Sequence, residues 1–213
     1  MSASPTPVPR VDARTTHDRL PPGQILTLKW PVLHYSTVPD VDLASWRFEV
    51  TGAVASPVAL RWTELLALPR QETACDIHCV TRWSRFDNVF GGVPVRALLE
   101  RVRPLPTAKF VLVHAEQGYT TNIPLDDLDR PANLLALTYN GERLTPEHGG
   151  PVRLLIPHLY LWKSAKWVRG FEMLEEDYAG FWEQNGYHMR GDPWTEERYG
   201  RLDHSRMRRG PRR

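Results

Sequence analysis

Two stretches of this sequence carry side chains that could do chemistry together. The first is Cys75-Asp76-Ile77-His78-Cys79-Val80-Thr81-Arg82-Trp83-Ser84, which contains both cysteines of the chain. A thiolate beside a cationic side chain suits a soft-metal ligand or a nucleophile, because nearby positive charge stabilises the ionised sulfur. Arg82 is the nearest cation in sequence and is expected to lower the pKa of Cys79. On an extended strand Cys75 and Cys79 sit about 13 Å apart, too far for a disulfide. Zinc is disfavoured: there is no second cysteine pair, and adjacent His78 and Cys79 on a strand point to opposite faces. A buried structural cysteine is the plainer alternative.

The second stretch is His148-Gly149-Gly150-Pro151-Val152-Arg153, followed by Lys163, Ser164, Lys166 and Trp167. Gly149 and Gly150 allow the backbone to approach a ligand closely. Arg153 can grip a phosphate with two N–H groups, and Lys163 and Lys166 add point charges. The bland reading is a turn followed by a strand with solvated cations. Taken together, the two stretches point to an enzyme that uses a metal cofactor.

The elements that must position these residues are short. Of 213 residues, 41% are apolar and 24% charged, enough for one globular domain. The net charge of +2 is too small to imply a nucleic-acid partner. Residues 1–22 are rich in proline and read as a flexible leader, with order beginning near Gln24. Residues 23–200 read as the folded domain, and 201–213 as a basic, solvated tail. Strands are expected at Gln24–Trp30, Trp46–Val50, Gln71–Cys79, Lys109–Ala115, Tyr119–Ile123, Asn133–Tyr139, Val152–Pro157 and Val168–Met173. Short helices are expected at Thr63–Leu68, with Thr63 as N-cap, at Val95–Arg101, and from Pro124 to Leu128. Gly91-Gly92-Val93-Pro94 reads as a turn into the second helix. Many short strands with few short helices give an α+β single domain of mixed β-sheets rather than alternating βαβ units. No apolar run reaches the ~18 residues of a membrane span, and the polar N-terminus carries no secretory signal. The cysteine usage fits a reducing, cytoplasmic setting.

In combination these residues resemble the sulfite oxidase-like molybdopterin oxidoreductases, which include the methionine-sulfoxide reductase catalytic subunits. The resemblance runs from about Leu28 to Tyr199. Cys79 stands where the family has its molybdenum-ligating cysteine, and Cys-Val-x-x-Trp-Ser is similar to the reductase branch. His148 to Arg153 matches the family's His/Asn-Gly-x-Pro-x-Arg, and Lys166-Trp167 its Lys-Trp. His34, before a short loop ending at Pro39, matches the N-terminal histidine, and Asn140-Gly141-Glu142-Arg143-Leu144 matches the turn that precedes the cofactor loop. Trp182 and Tyr187 have the spacing of the sulfite oxidases' tryptophan and active-site tyrosine. Departures from sulfite oxidases are Val32, where they carry an arginine, Leu161 in place of a glycine, and Thr81-Arg82-Trp83 in place of Gly-Asn-Arg-Arg.

The resemblance implies the sulfite oxidase catalytic-domain fold and a molybdenum–molybdopterin cofactor held through Cys79. It implies two-electron oxygen-atom transfer on a small substrate, with sulfur compounds among the candidates. Arg153, Lys163, Ser164 and Lys166 are expected at the pterin phosphate, and His34, Tyr35, His114 and His148 at the pterin. Tyr187 is expected at the substrate oxygen, and Arg82 is a candidate anion contact. No haem-attachment motif and too few cysteines for an iron–sulfur cluster imply a separate electron-transfer partner. The competing classes are a cysteine hydrolase using Cys79 with one of the eight histidines, a scaffold of the same fold without catalysis, and a polyanion-binding module resting on the tail.

Overall fold

The computed structural model describes residues 16–200. It begins with a one-turn helix α1 (Thr16–Arg19) and a two-residue strand β1 (Ile25–Leu26). Next come strands β2 (Arg47–Gly52) and β3 (Val58–Arg61), helix α2 (Trp62–Leu66), and the long pair β4 (Gln71–Cys79) and β5 (Trp83–Pro94). Helix α3 (Val95–Val102) leads to β6 (Phe110–Ala115), β7 (Thr120–Pro124), helix α4 (Leu125–Leu128), β8 (Leu134–Tyr139) and β9 (Glu142–Arg143). Strands β10 (Arg153–Leu155) and β11 (Val168–Leu174) and helix α5 (Phe181–Gln184) complete the set.

These elements build two mixed sheets. One has the order β3-β2-β11-β6-β7, with β11 parallel to β2 and antiparallel to β6. The other runs β1-β5-β8-β10, with β4 also paired to β5 and β9 to β8. The main core lies where both sheets meet, around Phe48, Val113, Leu135, Leu154 and Phe171. The first four residues of strand β8 are apolar because both of its faces are buried there: Leu135 and Leu137 face the main core, Leu134 and Ala136 a second cluster with Ile77 and Phe90. Helix α3 buries Val95, Leu98, Leu99 and Val102, the i, i+3, i+4, i+7 stripe of an amphipathic helix. A third, smaller cluster joins Cys79, Val80, Tyr160 and Trp162.

The α+β expectation holds, with local corrections. Gly91 to Pro94 is not a turn but the end of β5, which shifts its pairing on β8 between Gly91 and Gly92. A Cβ at Gly92 would lie 2.1 Å from the Leu135 carbonyl oxygen, so glycine serves close strand approach there rather than a reversal. The strand expected at Gln24–Trp30 shrinks to Ile25–Leu26, paired in parallel with Trp83 and Ser84. Helix α2 starts at Trp62 with Arg61, not Thr63, at its N-cap, and the Glu64 carboxylate accepts the Arg61 backbone N–H at 2.8 Å. Order also begins before Gln24, since Arg19 pairs with Asp76 at 2.6 Å and Asp87 at 2.8 Å. The tail at 201–213 and residues 1–15 of the leader lie outside the described residues. Among the described residues no helix is long and apolar enough to cross a membrane.

Gly92→Ala is expected to destabilise the protein by ~3 kcal/mol, because neither backbone neighbour can yield. Gly141→Ala, at a positive-φ turn facing open space, should cost only ~1 kcal/mol. Urea unfolding of both variants checks the difference.

Candidate cofactor-binding and active site

Cys79 is the last residue of β4 and pairs with Trp83, the first of β5. The three residues between them form a tight turn in which Arg82 takes φ 71° and donates its N–H to the Cys79 carbonyl at 3.1 Å. The Thr81 hydroxyl lies 3.1 Å from the Cys79 sulfur. Burial pushes the thiol pKa up, while hydrogen bonding from Thr81 and the charges of Arg198 and Lys166 pull it back. Arg82 is therefore not the cation that acts on the sulfur. Its side chain is exposed and lies outside the cavity wall.

The sulfur opens into a cavity of about 320 Å³, within the range of small-molecule sites. Five of the chain's eight tryptophans line it: Trp30, Trp83, Trp162, Trp167 and Trp182. Tyr187 stacks on Trp182 at 4.9 Å and meets Trp162 edge-on at 5.1 Å. Burial raises the Tyr187 pKa, so its hydroxyl keeps its proton at neutral pH. His34 also lines the wall, its Nδ1 bonded to the Ser36 carbonyl and its ring edge against Trp167. Beside it, Tyr35 donates its hydroxyl to the Gln117 carbonyl and packs on Phe181 at 4.2 Å.

Polar groups converge on one end. Arg153 is buried, with Nη1 donating to the His148 carbonyl at 2.9 Å and Nη2 to the Ser164 carbonyl at 3.0 Å. Its Nε is buried without a partner, and so is the indole Nε1 of Trp83. Lys166 donates to the Glu147 carbonyl at 2.5 Å, and burial together with the charge of Arg153 lowers its pKa to about 7. The Ser164 hydroxyl accepts the Ile156 N–H at 2.9 Å, which leaves its own proton to donate. Two buried donors without acceptors and a destabilised ammonium call for an acceptor-rich anionic ligand. The soft sulfur at the same wall suits a thiolate-tolerant metal. Among the described residues no group of three or more His, Cys, Asp or Glu side chains could hold a metal, so a metal here must arrive within a larger group. These features fit a pterin phosphate carrying a soft metal.

Several predicted site residues do other work. Lys163 is fully buried outside the cavity wall, and its Nζ donates to Asn122 O and Oδ1, both at 2.8 Å, and to Glu183 Oε1 and Met189 O, both at 2.6 Å. With all its donors engaged, it has none for a phosphate. His114 bonds Glu172 at 3.0 Å across β6 and β11, away from the cavity. His148 stands behind Trp30, stacked at 4.1 Å and bonded to its carbonyl, so it supports the wall without forming it. Gly149 and Gly150 make their close approaches to Lys166 and to the Leu144 carbonyl, within the protein. Sequence reasoning passed over Trp30, Trp162 and Tyr119, and named Trp83 only as part of the Cys79 motif; all four are in the wall. The high tryptophan count was the available signal.

Lys163→Met should cost ~3–5 kcal/mol, because it leaves the Glu183 carboxylate buried and unpaired, and denaturant unfolding reads this directly. His78, buried against the Ser84 hydroxyl at 2.8 Å, has its pKa lowered to about 4 by burial. The folded state therefore binds fewer protons than the unfolded state between about pH 6.5 and 4. Its contribution is complete above that window and is lost as pH falls through it, at up to ~1.4 kcal/mol per pH unit. Subtracting the stability–pH profile of His78→Gln from that of the wild type should expose this slope.

Residues 35–182 match the family model described as the oxidoreductase molybdopterin binding domain. The uncharacterized oxidoreductase YuiH of Bacillus subtilis is 50% identical over 182 residues, covering 85% of this chain and 92% of that protein. A putative protein-methionine-sulfoxide reductase subunit, YedZ1 of Azospira oryzae, is 31% identical over 80% of this chain and 66% of its own length. The crystal structure of the sulfane dehydrogenase SoxCD from Paracoccus pantotrophus superposes with a TM-score of 0.64 at 22% identity, over 76% of this chain and 48% of that one, and so shares the fold. The chain thus spans nearly all of the Bacillus protein but two thirds or less of the other two. With the match covering most of its length and the cavity offering the donors a pterin phosphate requires, the chain belongs to the molybdopterin-binding oxidoreductases, and molybdopterin is its cofactor.

Proposed function

We propose that Cys79 ligates molybdenum and that residues 23–200 form one catalytic unit, transferring an oxygen atom to or from a small, neutral, sulfur-containing substrate. The observation that carries this reading is the Cys79 sulfur in the wall of an aromatic cavity whose buried donors, Arg153 Nε and Trp83 Nε1, have no partner. Arg153, Ser164 and Lys166 would hold the phosphate end of the cofactor, and His34 and Tyr35 its pterin side. When bound, the cofactor supplies the two-electron oxygen-transfer chemistry, and the protein supplies orientation and electrostatics. Trp162, Trp167 and Trp182 exclude water and favour an uncharged organic substrate over an oxyanion. The protonated Tyr187 hydroxyl would donate to the substrate oxygen. A sulfoxide meets these requirements, and the name of the Azospira relative supports the reductive direction. Electrons would come from a separate partner. The free thiols of Cys75 and Cys79 are compatible with a reducing, cytoplasmic compartment.

Protein expressed in a host that makes molybdopterin should contain near-stoichiometric molybdenum by ICP-MS and reduce an aromatic sulfoxide with a reduced viologen as donor. Cys79→Ser should alter metal loading or coordination and lose at least ~100-fold in rate. Wild-type protein that stays free of molybdenum in that host would overturn the reading.

A further inference from the structure

The turn that carries Cys79 is clasped from behind by segments far from it in sequence. The Cys79 carbonyl accepts Gln24 Nε2 at 3.0 Å as well as the Arg82 N–H. The next carbonyl, of Val80, accepts Arg198 Nη1 at 2.7 Å, a contact spanning 118 residues. Nη2 of the same guanidinium reaches the Pro22 carbonyl at 3.2 Å. Its face lies 5.0 Å from the ring centre of Tyr160, which stacks on Trp162 at 5.4 Å in the cavity wall. Neither Gln24 nor Arg198 falls within residues 35–182, the part that matches the family model.

Arg198 is only 4% exposed. Among the described residues its ion-pair partner is Glu196, which is exposed and stands 3.5 Å from Nε, a distance at which the pair is weak and Nε gains no hydrogen bond. A buried guanidinium so poorly balanced is costly where a neutral amide could hold the same carbonyls. Its charge also acts on the Tyr160 hydroxyl and on the sulfur at the start of the turn, favouring the ionised form of each. We infer that Arg198 is a positioning residue for Cys79: it fixes the turn through Val80 and sets a permanent positive charge behind the metal ligand, favouring the more reduced state of the centre. This rests on the reading of Cys79 as the molybdenum ligand.

The test is a redox titration of the molybdenum-loaded protein followed by the metal's EPR signal, with metal content and thermal melting measured alongside. Arg198→Met and Arg198→Gln remove the charge, and the glutamine keeps a donor for Val80. Arg198→Lys keeps the charge. Both neutral variants should load molybdenum and lower the midpoint potential, shifting the reduced-to-oxidised ratio at fixed potential by about tenfold, or ~59 mV for one electron. Arg198→Lys should hold the wild-type potential even if it melts earlier. If the neutral variants keep the wild-type potential, or if neither folds, Arg198 is a structural clasp alone and the inference falls. Wild-type protein without molybdenum, or a Cys79→Ser protein with an unchanged metal signal, would instead defeat the reading of Cys79 itself.

Discussion

The cavity depends on one buried ion pair, Lys163 with Glu183. Both side chains are withdrawn from solvent, and they meet at 2.6 Å. The carboxylate also accepts the Thr121 hydroxyl at 2.9 Å and the Trp162 indole N–H at 2.8 Å. This single oxygen therefore joins β7, the turn at Leu161–Lys163 and helix α5. Two walls of the cavity follow from it, because Trp162 rides on the turn while Trp182 and Tyr187 follow from the helix. Burial draws the Lys163 pKa down and Glu183 opposes that shift. A pair of this kind contributes little net stability but fixes geometry, because any arrangement that separates the charges strands one of them in the interior.

The electrostatics of the site follow from where charge is satisfied and where it is not. Lys163 has four acceptors and is silent toward the cavity. Arg153 is held at both Nη atoms by carbonyls, while its buried Nε has no partner. Lys166, in the same wall as Arg153, is destabilised as a cation by burial and by the charge of Arg153. Three cations close in sequence thus differ in how fully their donors are met: Lys163 is wholly engaged, Arg153 keeps an unpartnered Nε, and Lys166 meets the Glu147 carbonyl. The difference lies in burial and in the count of acceptors around each, since all three carry the same formal charge.

Much of this was legible in the chain. The strand ending at Cys79 was expected at its observed bounds, Gln71–Cys79, and strand β8 within one residue of them from its apolar start. The amphipathic helix α3 follows from its valine and leucine spacing. The pairing of Cys79 with the basic segment near Arg153 and Lys166 was readable because those residue types combine into one chemistry. Gly91-Gly92 was misread because glycine pairs mark turns in isolation, and only the neighbouring strand β8 reveals a bulge with no room for a Cβ. Lys163 and His114 were misplaced for a related reason. A lysine or histidine near a basic motif has the same local signature whether it faces a ligand or a buried carboxylate.

By itself, the sequence determined which chemistry is possible: a thiolate ligand, a set of phosphate donors, a surplus of tryptophan and an α+β chain of short strands. Those are properties of residue type and local period, and they survive without coordinates. The tertiary structure decided which cations lie near the sulfur, which donors are left without partners, and which residues wall the site. Arg198 and Gln24 reach the Cys79 turn from opposite ends of the described chain, and Trp30 and Trp162 line the same cavity. Such contacts arise from the closing of two sheets around one core, where distance along the chain carries no information about distance in space.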